Sequence, residues 1–225
     1  MPSWNIHLAV AKEVNKKLKL DKNSFYFGNT VPDIDYNMKL TRKETHYYNI
    51  PCPNCPKEIL PDINLFLKDY QDKLQNPLIM GIYVHLLTDY YFNSKIYPKC
   101  WLQDKHKNIV GIKLLNGKII SEKQRKIYKH YDLDLYGKYL FKQGEVDIPA
   151  YDSKINKNIK EFKNNCYKVS DIKNRINYLK TTFLKKQKYN LWENIIGLQY
   201  KILEKNELDK IYQDCIKFIL KKIRN

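Results

Sequence analysis

His85 and Asp89 lie four residues apart within the apolar run Gly81–Asp89. On a helix that spacing sets an imidazole and a carboxylate one turn apart on the same face. Gly81 falls one turn earlier on that face, leaving a spot without a side chain where another element or a ligand can come close. Ile82, Leu86 and Leu87 around the pair point the face inward, and a buried carboxylate is costly unless paired or coordinated. Two readings follow: a hydrogen-bonded pair in a core, or part of a metal site. The chain has five histidines, and other acid and imidazole groups accompany them. Val31-Pro32-Asp33 precedes Thr45-His46; Pro32 stiffens the backbone before Asp33 and Gly28 relaxes it. Trp4 and His7 flank the start of a helical pattern. A second pair of the same spacing is His130 and Asp134, with Asp132 between them. Mixed imidazole and carboxylate donors suit zinc, manganese or iron.

The elements that must position these groups read as helices. Leu8, Val10, Ala11, Val14 and Leu18 give residues 7–20 a helical face. A loop with Asn23, Gly28, Asn29 and Pro32 follows. Residues 51–56, with three prolines, read as a second loop. Leu60 to Leu74 reads as a helix, and another starts with Asn76 as N-cap and Pro77 in its first turn and runs to about Phe92. Asn116-Gly117 between short apolar runs predicts a two-stranded hairpin over 108–120, expected to shape one cleft wall. Helical segments are expected near 152–168, 170–187 and 190–223, with Asp152, Ser170 and Asn190 as N-caps and a break near Asn206. The expectation is an all-α single domain spanning residues 1–225, with the hairpin as an insertion.

Composition narrows the function less than the motifs do. Lys+Arg number 41 and Asp+Glu 24, a net charge of +17. Only Arg42, Arg125, Arg175 and Arg224 are arginine, and arginine is the better bidentate reader of phosphate. The surplus therefore reads as a lysine-rich solvated surface, helpful to an anionic substrate. No apolar run approaches the ~20 residues of a membrane span, and the first residues lack a secretory apolar core. A cytoplasmic protein without a transmembrane segment is expected. Five scattered cysteines do not describe a disulfide framework. Cys52-Pro53-Asn54-Cys55 stands as a redox motif, half a zinc knuckle or a loop accident.

In order along the chain, Trp4-x-x-His7-x-x-x-Ala11, Phe27-Gly28-Asn29-x-x-Pro32-Asp33, Thr45-His46 and Gly81-x-x-x-His85-Leu86-x-x-Asp89 resemble the zinc-dependent phospholipase C / P1-type nuclease superfamily. The bacterial intracellular branch fits best. The resemblance implies an all-helical fold with a metal cluster in a cleft, holding two or three zinc ions, with manganese or iron as alternatives. It implies that Asp33, His46, His85 and Asp89 hold one metal. His7 holds a second, with Asp89 bridging. His130 and Asp134, with His106 as the remaining imidazole, stand for a third. Asp33 also orients the attacking water as the catalytic carboxylate. The implied substrate is a phosphodiester, either a phospholipid head group or a nucleotide or nucleic acid; no protein partner is implied and no substrate-binding residue is singled out. A P1-type nuclease or nucleotidase, and a non-catalytic metal-stabilised binding module, remain as alternatives. Tyr26, Tyr47, Tyr48 and Tyr83 read either as cleft lining or as core. Two departures stand out: Trp4 lies behind Met1-Pro2-Ser3 instead of offering a free amine, and 41 residues separate Asp89 from His130.

Overall fold

The computed structural model describes residues 2–34, 41–53, 55–105, 108–162, 168–186 and 199–224. Its centre is helix α5 (Pro77–Ile96), in which every residue from Leu78 to Asp89 is buried. Asn76 caps it as expected, its side chain accepting from the Leu78 and Ile79 amides, and Pro77 opens the first turn. Around α5 pack α1 (Trp4–Leu18), α2 (Lys22–Gly28), α4 (Ile63–Tyr70) and a long helix over Lys205–Arg224. Helix α1 also packs on α6 (Glu122–Lys142). The architecture is all-α, with two small antiparallel sheets among the described residues. No helix among the described residues is long and apolar enough to cross a membrane.

Helices α2 and α5 approach backbone to backbone. A Cβ on Gly28 would stand 2.1 Å from the Leu78 carbonyl oxygen, and one on Gly81 would stand 2.1 Å from that of Phe25. Two glycines let the backbones touch, and that contact sets where Asn29 lies beside α5.

Several expected elements are corrected. Residues 51–56 are not a loop: β1 (Tyr48–Cys52) and β2 (Cys55–Pro61) form a ribbon in which Cys52 faces Cys55. A two-stranded ribbon has only edge strands, where a proline costs no ladder bond on its open side. Leu60 belongs to β2, and α4 starts at Ile63 because Asp62 caps it, accepting from the Leu65 amide at 3.0 Å. The hairpin forms as β4 (Ile109–Lys113) and β5 (Ile119–Ile120) around Gly117 at φ 83, but β3 (Leu102–Gln103) adds a third strand. Asp152 caps α7 (Ser153–Asn158) as expected. Helix α8 (Val169–Tyr178) starts one residue before Ser170, with Lys168 at the cap position. Asn190 lies outside the described residues. Of the last span, residues 199–204 are not helical and a helix runs over Lys205–Arg224.

Helix α6 was not anticipated. Its polar residues hide a buried side made by Leu133, Tyr136 and Leu140. On it, Asp132 accepts from the backbone amides of Lys201, Ile202 and Leu203 at 2.7, 2.7 and 3.0 Å. That pins the segment leading into the last helix and gives Asp132 a structural task.

Candidate metal centre

Four elements bring five side chains to one place. Helix α5 supplies His85 and Asp89, α1 supplies His7, the tight turn Val31–Asp33 supplies Asp33, and α3 (Arg42–His46) supplies His46. All five are buried. The short helix α3 holds its shape through a capping box between Thr41 and Glu44, and Tyr47 at φ 53 ends it in the left-handed region. His46 is thereby set as its last residue, facing inward.

The donor atoms converge. His7 Nε2 lies 3.4 Å from Asp89 Oδ1. His85 Nε2 and His46 Nε2 lie 3.8 and 3.9 Å from Asp89 Oδ2. His46 Nε2 is 3.2 Å from Asp33 Oδ1. The rings of His7 and His85 stack at 3.9 Å, nearly parallel. Two groups result, His7–His85–Asp89 and Asp33–His46–His85, each with one donor atom per residue and all of them within 4.8 Å of one another. Asp89 presents one oxygen to His7 and the other to His46 and His85.

Hydrogen bonds outside the cluster set the tautomers. His85 Nδ1 lies 2.8 Å from the Asn29 carbonyl oxygen, which only accepts, so Nδ1 carries the hydrogen and Nε2 the lone pair. His46 Nδ1 lies 2.9 Å from the Thr45 hydroxyl, itself aimed at the Arg42 carbonyl at 3.5 Å. Such partners orient imidazoles toward a metal. Asp33 is held on all sides: Trp4 Nε1 donates to Oδ2 at 2.8 Å, Arg42 Nη2 to Oδ1 at 2.9 Å, and Arg175 Nη2 to its carbonyl at 2.9 Å. The Arg175 guanidinium also lies 4.0 Å over the Trp4 ring. Trp4 thus serves the cluster through its indole N–H, a role independent of a free amine.

The residues fit a metal ion on their own chemistry. His7 Nε2, His85 Nε2 and Asp89 Oδ1 are buried without a hydrogen-bond partner among the described residues. Buried polar atoms left unpaired are costly, and three of them aimed at one spot are accounted for by a cation between them. Burial alone would raise both carboxyls. His46, His85 and His7 instead hold Asp33 well below the usual range, and His7, His85 and His46 do the same for Asp89. Burial first, then the neighbouring His7, pushes the His85 imidazole down to about 3.

That shift has a sign. Between a free histidine's ~6.5 and the folded value, the unfolded chain binds a proton that the folded chain excludes. Stability is therefore lost as pH falls from about 6.5 toward 3, by up to ~1.4 kcal/mol per pH unit from this group. Asp33 and Asp89, held low in the fold, contribute stability above their unfolded value that is lost at still lower pH. The thermal midpoint in chelator is expected to drop between about pH 7 and about pH 4, with a flatter profile for His85→Gln. A level wild-type profile would contradict a neutral, buried His85.

Of the expected site residues, His7, Asp33, His46, His85 and Asp89 come together. His130 and Asp134 lie outside both groups, exposed on α6. With Trp4, Asp33, Arg42 and Phe183 they line a cleft of about 290 Å³. His106 lies outside the described residues. Among the described residues lining that cleft, none comes from the 108–120 hairpin; Leu114, Leu115 and Asn116 line a separate cavity with Gln199–Lys201. Tyr48 reaches the site, donating to Asp89 Oδ2 at 3.2 Å, whereas Tyr26, Tyr47 and Tyr83 pack in the core. Arg42, Arg175 and the Asn29 carbonyl were missed as contributors. Arg42-x-x-x-His46 carried a readable signal, the same one-turn spacing as His85 and Asp89.

Fold and site define a helical protein with a buried imidazole–carboxylate cluster suited to metal. A family model described as zinc dependent phospholipase C matches residues 4–190, and the chain belongs to that family. Comparison with curated proteins and with solved structures finds no match.

Proposed function

We propose that residues 1–225 act as one unit, a zinc-dependent phosphoric ester hydrolase that cleaves phosphodiesters in the cytoplasm. The observation that carries this is the convergence of unpartnered His7, His85 and Asp89 donors beside a cleft that reaches Asp33. Asp33, His46 and His85, with one oxygen of Asp89, would hold one ion, and His7 with the other Asp89 oxygen would contribute to a second; the single free lone pair of His85 serves one of them. Bound divalent metal lowers the pKa of a water toward ~7 and polarises a phosphoryl oxygen. Asp33, fixed by Trp4 and Arg175, orients the attacking water through its carboxylate. Tyr48 keeps Asp89 aimed by holding Oδ2. His130 and Asp134 line the same cleft and would contribute to a third site. The net charge of +17 favours an anionic substrate arriving at this cleft.

The test is hydrolysis of p-nitrophenyl phosphorylcholine, single-stranded DNA and single-stranded RNA, with zinc or manganese and with chelator. Metal-dependent cleavage of the choline ester alone identifies a phospholipid head group as the substrate class. Cleavage of the polynucleotides alone identifies a nuclease. No hydrolysis of any of them with either metal would overturn the enzymatic reading.

A further inference from the structure

Arg42 stands on two of the atoms assigned above to a metal. Its Nη2 lies 2.9 Å from Asp33 Oδ1 and 3.1 Å from His46 Nε2. Those two acceptors are themselves 3.2 Å apart. Two lone pairs at that distance repel unless a cation lies between them, and a guanidinium is always charged. The contact also selects the His46 tautomer, since an Arg N–H donates only to a bare Nε2. His46 Nε2 has one lone pair, so it can serve Arg42 or a metal but not both. The Asp33 carboxylate is restrained by Trp4 at Oδ2, and its backbone carbonyl by Arg175.

We propose that Arg42 is a resident cation of the Asp33–His46 donors that a metal displaces, and that the displaced guanidinium then receives the substrate's phosphate. This rests on the metal-hydrolase reading above. The side chain is rooted on α3, is 47% exposed, and lines the cleft with Trp4, His130 and Phe183, so it has room to move outward. Two divalent ions over Asp33 and Asp89 leave the cluster with surplus positive charge. A guanidinium expelled beside that charge gains from an anion placed between them. The planar fork of arginine matches a phosphate's oxygens. Metal loading and anion binding would thus be coupled through one side chain.

The experiment measures zinc affinity by competition with a chelating dye, and inorganic phosphate affinity of the zinc-loaded protein by calorimetry. Arg42→Met is expected to bind zinc about tenfold tighter than wild type, because nothing has to be displaced. It is also expected to bind phosphate about tenfold more weakly. Lys43→Met, one residue along the same helix, should change neither. Should Arg42→Met fail to fold, Arg42→Lys retains the charge without the fork and is expected to weaken phosphate binding in the same direction. Wild type that takes up no zinc overturns this inference together with the proposed function. Zinc uptake by wild type with no gain in Arg42→Met, or phosphate affinity unchanged in either variant, overturns this inference alone.

Discussion

Asp89→Asn is expected to abolish hydrolysis and to weaken zinc binding by well over a hundredfold while the helical fold persists. Removing a partner that merely orients a metal-bound histidine costs about 10–100-fold, and Asp89 stands nearer the centre than any such partner. Its Oδ1 lies 3.4 Å from His7 Nε2 and its Oδ2 accepts from Tyr48 at 3.2 Å. Oδ2 is also within 4 Å of His46 and His85 Nε2. The amide keeps the volume, so α5 packs as before. It removes the negative charge shared between the two donor groups and turns an N–H₂ toward atoms that need a cation. Dye competition and calorimetry read the zinc loss; circular dichroism in chelator checks the fold. Near-wild-type zinc affinity in a folded Asp89→Asn protein would show that Asp89 does not hold the zinc, and would leave His85 and Asp89 as the hydrogen-bonded core pair.

The pattern of legible and illegible features follows from what periodicity reports. His85, Asp89 and Gly81 were readable because an unbroken apolar run turns charged residues into exceptions, and exceptions on a buried face need partners. Asp33 was readable from local punctuation, the proline before it, whereas His46 stood out only as Thr45-His46 in the order of motifs that the family resemblance supplied. Three features escaped. The β1–β2 ribbon was hidden by Pro51, Pro53 and Pro56, which argue for a loop unless both strands are edges. Helix α6 was hidden because Lys129 and Asp132, both buried, read as surface in a one-dimensional pattern. Arg42 and Arg175 were counted in a net charge although they converge on Asp33 from residues 142 positions apart in one case. Composition sums charges, whereas the fold decides which of them meet.

Gly81→Ala is expected to destabilise the protein by about 3 kcal/mol or more, against the ordinary gain of up to ~1 kcal/mol for replacing a helical glycine by alanine. The sign is decided by what the new methyl would meet. It would stand 2.1 Å from the Phe25 carbonyl oxygen and 2.9 Å from the Asn29 amide nitrogen. Both are backbone atoms of the α2 end, so no side-chain rotation relieves the clash and the two elements must separate. Asn29 moves with α2. Its side chain donates to the Gly81 carbonyl at 3.2 Å, and its own carbonyl accepts from His85 Nδ1 at 2.8 Å. A shift of α2 therefore breaks the hydrogen bond that keeps the His85 lone pair on Nε2, one helical turn from the substitution. Protein that still folds is expected to lose zinc affinity by about 10–100-fold, the cost of losing such an orienting partner. Denaturant unfolding in chelator reads the first effect and zinc competition the second. A Gly81→Ala protein with wild-type stability and wild-type zinc affinity would mean that α2 and α5 do not touch through their backbones. The glycine would then be a local accident instead of the residue that brings the Asn29 carbonyl to His85.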